Sequence, residues 1–171
     1  MPYRLETESK TVDGISELIQ SNLDKLPGGY AIHQSSEFEQ WRIYQNPHYL
    51  TVHTYSLFDD DDRLIALVVF NSHANGLAFV VHSTFHDSLD LDTRVAILRL
   101  VSQQLFRQGI SLIRNWHFDT NHLNQADIVN FRQSGYTYLD RGIGLVWKVL
   151  DDIQIEPENF LLSRVSTEGV H

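Results

Sequence analysis

The chain has 171 residues, 42% of them apolar and 20% charged, which suits one globular domain with a sizeable core. Its net charge of -9 argues against a nucleic-acid or anionic-membrane surface, which needs clustered Lys and Arg. The absence of cysteine excludes disulfides, thiolate metal sites and cysteine nucleophiles, and no apolar run approaches the roughly 18 residues of a bilayer span.

Met1 to Lys10 is polar, without the core of a signal peptide, so the expected location is cytoplasmic. Asp13 to Leu26 carries Ile15, Leu18, Ile19, Leu23 and Leu26 at helical spacing, and Pro27-Gly28-Gly29 ends it. Glu37 to Gln45 predicts a second short helix. Tyr49 to Phe58 is β-branched and aromatic and reads as a strand. The acidic run from Asp59 reads as a hairpin turn, since Asp hydrogen-bonds its own backbone. Arg63 to Ser72 is a nearly continuous apolar run, as in a strand covered on both faces. After the Ala74-Asn75-Gly76 turn, Leu77 to Phe85 predicts a third strand.

Leu91 to Gln108 has a helical stripe of Val95, Leu98, Val101 and Leu105, with Gly109 where a C-terminal cap belongs. Ile110 to Phe118 predicts a fourth strand, Asn124 to Ser134 a short helix closed by Gly135, and Tyr136 to Leu150 a strand or a bent hairpin. An antiparallel meander thus leads into one right-handed βαβ crossover and a final strand. The fold class is α+β, a mixed α/β layer with helices on both faces of one mixed sheet. The expected organisation is an N-terminal segment 1–11, a domain over 12–150 and a C-terminal extension 151–171.

This order resembles the GCN5-related N-acetyltransferase (GNAT) superfamily over about residues 12–150. Asn124 to Tyr136 (NQADIVNFRQSGY) is similar to the family segment in which an Asn opens a short helix ending in Gly-Phe. Trp41 to Pro47 (WRIYQNP) and Pro157 to Gly169 resemble segments of GNAT-like proteins associated with surface-polysaccharide and lipid modification. The resemblance implies acetyl-CoA or another acyl-CoA as donor, no metal, and a small-molecule or glycan-precursor acceptor. It leaves room for a homodimer or a protein partner. It also implies that the donor's pantetheine arm lies on the open edge between two splayed parallel strands. Val81, Ser83, Arg94 and Asn124 are then the donor contacts.

Two departures from the family pattern bear on activity. The glycine-rich, basic loop that grips a pyrophosphate is here His86 to Asp92, without glycine and with Asp87, Asp90 and Asp92; its nearest cation is Arg94. The family's acidic tyrosine falls at Phe131, which transfers no proton.

Ligands in parallel sheets sit beyond the carboxyl ends of the strands. There the sequence brings His82, Ser83 and His86-Asp87 towards His117, Asp119, His122 and Asn124. His117 and His82 are the candidate base or acid, with Asp119 orienting and Tyr136 as a replacement acid. Metal binding by these imidazoles, and simple hydrogen-bonded polar residues at strand ends, stand as the other readings. Trp41, Tyr44 and Tyr49 are candidate acceptor-pocket residues, although packing of Trp41 against the sheet is the plainer role. Arg42, Arg114 and Arg141 are the candidate cations. Two functions follow: a divergent acyl- or acetyltransferase, or a GNAT-like binding or regulatory module that does not use acetyl-CoA. A hydrolase or isomerase working through the histidines is a third.

Overall fold

The sheet is built from the middle outwards. Leu64–Ser72 (β4) is buried along its whole length, which its continuous apolar run dictates. Thr51–Phe58 (β3) pairs with it antiparallel on one side, and Leu77–Phe85 (β5) on the other. The turn between β3 and β4 is held by Asp59, whose carboxylate accepts from the backbone N–H of Asp61 and Arg63 and from the Arg63 side chain. Arg4–Thr7 (β1) adds an antiparallel edge strand on β3, from a segment to which the sequence assigned no element. Leu112–Arg114 (β6) runs parallel to β5, giving a five-stranded sheet of order β1-β3-β4-β5-β6. The structure, a computed structural model, describes residues 3–7, 14–31, 35–45, 51–139 and 156–161.

Alternation along the strands divides the core in two. Val68, Phe70, Val80 and Phe85 face the helix Leu91–Arg107 (α3), which brings Leu98, Val101 and Leu105, and the helix His122–Gln133 (α4), which brings Phe131. Leu67, Val69 and Val81 face the helix Ile15–Leu23 (α1), which brings Ile15, Leu18 and Ile19. Each such side chain, fully buried, contributes about 1.5–3 kcal/mol. Helices thus cover both faces of a mixed sheet, as the sequence implied.

The smaller elements bound the functional end. Tyr30–Ala31 (β2) pairs parallel with Phe160–Leu161 (β7), which follows a short 3-10 turn, Pro157–Asn159. Ser36–Glu39 (α2) continues into a wider π turn over Gln40–Tyr44. Trp41 is 60% exposed against Phe38 and does not anchor this helix to the sheet; Tyr44 does, through a 2.6 Å hydrogen bond to Thr54. Tyr136 to Leu139 lies outside any strand, and the remainder of the predicted element at 136–150 lies outside the described residues. So do Tyr49, Arg141 and the side chain of Arg42. Among the described residues no helix is long and apolar enough to cross a membrane.

Candidate functional site

The site exists because β5 and β6 part company. They pair for only three residues, Leu77 with Leu112 to Phe79 with Arg114. The predicted fourth strand, Ile110 to Phe118, therefore shrinks to Leu112–Arg114. A bulge causes the divergence. Val69 pairs with His82 but Phe70 with Val80, so Val81 is an extra residue in β5. A bulge bends its strand and sharpens its twist. Beyond it, β5 turns away while the chain after Arg114 leaves the sheet. The gap is a cavity of about 180 Å³ that passes between the strands, lined from α1 by Ile19 and from α4 by Asp127.

The bulge also decides which way each side chain faces. Val81 and His82 both turn to the α1 side, His82 opposite Val69 of that core. Ser83, opposite Val68, turns to the α3/α4 side. The two histidines expected to meet therefore line one cavity from opposite faces of the sheet.

His82 is almost wholly buried. Its Nε2 lies 2.8 Å from the Thr84 hydroxyl, and its Nδ1 has no hydrogen-bond partner. Burial pushes its pKa down to about 4, so it is neutral at pH 7 and is no proton donor of the imidazolium type there. His117 sits on the other face, edge-on to Phe131 at 5.2 Å. The Asn115 amide nitrogen donates to its Nε2 at 3.2 Å, which leaves the ring proton on Nδ1. That Nδ1 faces Asp127 Oδ2 at 3.6 Å. The Ser83 hydroxyl donates to the same carboxylate, 3.0 Å from each oxygen.

Asp127 is thus the carboxylate beside His117, whereas Asp119 is exposed and does not line the cavity. Asn124, Asp127 and Asn130 stand three residues apart on the inner face of α4, where a helix packed on a sheet ordinarily turns apolar residues. That polar stripe is the sequence signal for Asp127. Asn124 is buried in the first turn of α4 and accepts from the Thr120 hydroxyl at 2.8 Å. It does not open the helix. Asn121 does, accepting from the N–H of Leu123 and Asn124, and its amide also reaches the Phe160 carbonyl. Tyr136 is directed away: its hydroxyl is 2.8 Å from Ser102 on α3, its ring packs on Phe131, and it does not line the cavity. Burial raises its pKa.

Three exposed carboxylates, Asp87, Asp90 and Asp92, surround the start of α3. Asp90 caps the helix by accepting from the Thr93 N–H at 2.7 Å. Arg94, which lines the cavity, turns its Nε to the Leu89 carbonyl and an Nη to the His86 carbonyl. His86 and His122 do not line the cavity, and among the described residues no group of three or more His, Asp or Glu is placed to hold a metal. Arg114 is exposed on β6.

No protein-family model and no curated protein matches the chain. Solved structures do. An aminoglycoside 6'-N-acetyltransferase from Acinetobacter baumannii is 10% identical, over 86% of this chain and 99% of its own, with a TM-score of 0.56. A GNAT-family acetyltransferase from Streptococcus pneumoniae is 15% identical, over 88% of this chain and 100% of its own, with a TM-score of 0.55. AAC(6')-Iy, in complex with the bisubstrate analogue CoA-S-monomethyl-acetylneamine, is 14% identical, over 87% of this chain and 100% of its own, with a TM-score of 0.52. Element order, the splayed β5–β6 pair and these matches together show that the chain has the fold of the GNAT acetyltransferases.

Proposed function

We propose that the protein is an acyltransferase that takes an acyl group from a thioester seated in the β5–β6 cleft. The observation that carries this is the parting of the two strands. It leaves β5 from Val80 to Phe85, which carries Ser83, without a β6 partner and sets His117 and Asp127 beside it. An extended arm that carries amides can pair with such an edge. A bound thioester would supply an activated carbonyl. His117 Nε2 takes the proton from the acceptor nitrogen, which displaces the Asn115 amide, and Asp127 stabilises the resulting imidazolium through Nδ1. The C–N bond forms, the C–S bond breaks, and the sulfur leaves as a thiolate while the proton stays on His117. Ser83 holds the Asp127 carboxylate in place. His82, uncharged on the opposite face, is a hydrogen-bonding group for the ligand rather than the base.

One similar structure is an aminoglycoside antibiotic 6'-N-acetyltransferase, and the acceptor here is proposed to be a small-molecule or surface-polymer-related amine. Calorimetric titration with acetyl-CoA and S-acetylpantetheine, with thiol release measured in the presence of glucosamine, putrescine or neamine, tests this reading. Binding, together with a loss of thiol release of about 100-fold or more in His117→Ala, is the expected result. No heat with either thioester at millimolar concentration would overturn it. The second reading, a binding module without transfer, is favoured by Phe131 at the acid position and by the carboxylates of residues 86–92. Binding without thiol release from any acceptor would select it.

A further inference from the structure

A helix start binds phosphate when its free N–H groups and a nearby cation point at the ligand. The start of α3 opens on the cleft, where Asp87 and Arg94 line the cavity. Several donors of the preceding loop and first turn are engaged within the chain. The N–H of His86 bonds the Ile65 carbonyl, that of Leu89 the His86 carbonyl, and that of Arg94 the Asp90 carbonyl. Ser88 donates to the His86 ring and Thr93 to Asp90. The Arg94 guanidinium faces inward, onto two loop carbonyls.

The charge around these groups is negative. Asp87, Asp90 and Asp92 stand within six residues, all exposed. A hydrogen bond from Lys25 holds the Asp87 carboxyl below the usual carboxylate range, and Thr93 does the same for Asp90, so both are ionised at pH 7. The Lys25 ammonium, the cation nearest the cleft on the α1 side, is itself committed to Asp87 at 3.1 Å and to Asn22 at 3.1 Å. The residues present therefore fit the thioester arm of an acyl-CoA and do not fit its diphosphate.

We infer that the cleft recognises its acyl donor by the thioester arm alone and turns a diphosphate away from the start of α3, so that its donor is an acyl thioester without a nucleotide end seated there. This rests on the acyl-transfer reading and deepens it. The Ser83–Asp127 contact adds a carboxylate to the same side of the cleft, which further disfavours an anionic ligand and leaves a neutral amide-bearing arm unaffected.

Side-by-side titration of the full chain with S-acetylpantetheine and acetyl-CoA, at about 0.05 M and about 0.5 M salt, tests it. S-acetylpantetheine is expected to bind at least as tightly as acetyl-CoA. The acetyl-CoA affinity is expected to rise with salt, because screening weakens repulsion between like charges. Asp92→Asn is expected to raise acetyl-CoA affinity by about 2-fold and to leave S-acetylpantetheine unchanged. Acetyl-CoA binding tenfold tighter than S-acetylpantetheine, and weakening with salt, would overturn the inference and leave the acyl-transfer reading standing. Failure of both thioesters to bind would overturn the two together.

Discussion

His82 illustrates what burial does to a titratable side chain. Its pKa of about 4 in the folded chain lies below the ordinary 6.5, and desolvation is the cause. Between those values the unfolded chain holds the proton and the folded chain does not. Stability is therefore complete above about pH 6.5 and falls as the pH drops towards 4, by about 3 kcal/mol in all. Urea midpoints measured across that window should show this slope in the wild type, and His82→Gln should flatten it. Tyr136 makes the opposite case, a polar side chain with a structural task. Tyr136→Phe removes the hydrogen bond to Ser102 and should cost about 1 kcal/mol in urea unfolding while leaving thioester affinity unchanged. A loss of affinity there would place its hydroxyl in the site. The sequence drew attention to His82 and His117 because they fall at the ends of neighbouring parallel strands, and the cavity does take in both. It paired His117 with Asp119, whereas the carboxylate the structure sets beside His117 is Asp127. Asp119 is two residues away along the chain, but Asp127 is the one that α4 carries across the gap. Local spacing does not report a contact made between two elements.

At the scale of elements, pairing rather than propensity set the boundaries. Ile110 to Phe118 has strand-like composition throughout, yet it is a strand only at Leu112–Arg114, where β5 is still beside it. The bulge at Val81, which no composition signal marks, removes the partner beyond that point. The strands can begin together because of Gly76. Its φ is +79°, and its carbonyl accepts from the N–H of Ser111 and Leu112. A Cβ there would lie 3.1 Å from the Ser111 hydroxyl and 3.2 Å from the Gly109 carbonyl. Gly76→Ala should destabilise the chain by more than about 1 kcal/mol, measured as a lowered urea midpoint. Asn121 joins two elements, capping α4 and holding the Phe160 carbonyl of β7. Asn121→Ala should cost about 1 kcal/mol through the lost cap and should loosen β7, seen as faster amide exchange at Phe160 and Leu161.

For the whole molecule, hydrophobic periodicity was sufficient to read the architecture. The order of a meander, a crossover helix and a last helix places α3 and α4 on one face and α1 on the other. Three short strands were invisible: Arg4–Thr7 has no apolar alternation of its own and exists through its register with β3, and the two-residue strands β2 and β7 exist through their pairing with each other. The layers explain the cleft. One sheet strand is bent by a bulge, its neighbour ends early, and helices on both sides wall the resulting gap. The start of α3 presents exposed carboxylates to this cleft. A ligand that binds only the folded chain raises its thermal midpoint, and S-acetylpantetheine should do so at millimolar concentration.

The most direct test of the cleft as a donor site is amide shift mapping on the full chain as S-acetylpantetheine is added. The account predicts that the largest shifts fall on Val80 to Phe85 and on Asn115 to His117, the two sides of the gap between β5 and β6. Shifts centred elsewhere on the sheet, or none at millimolar ligand, would contradict it.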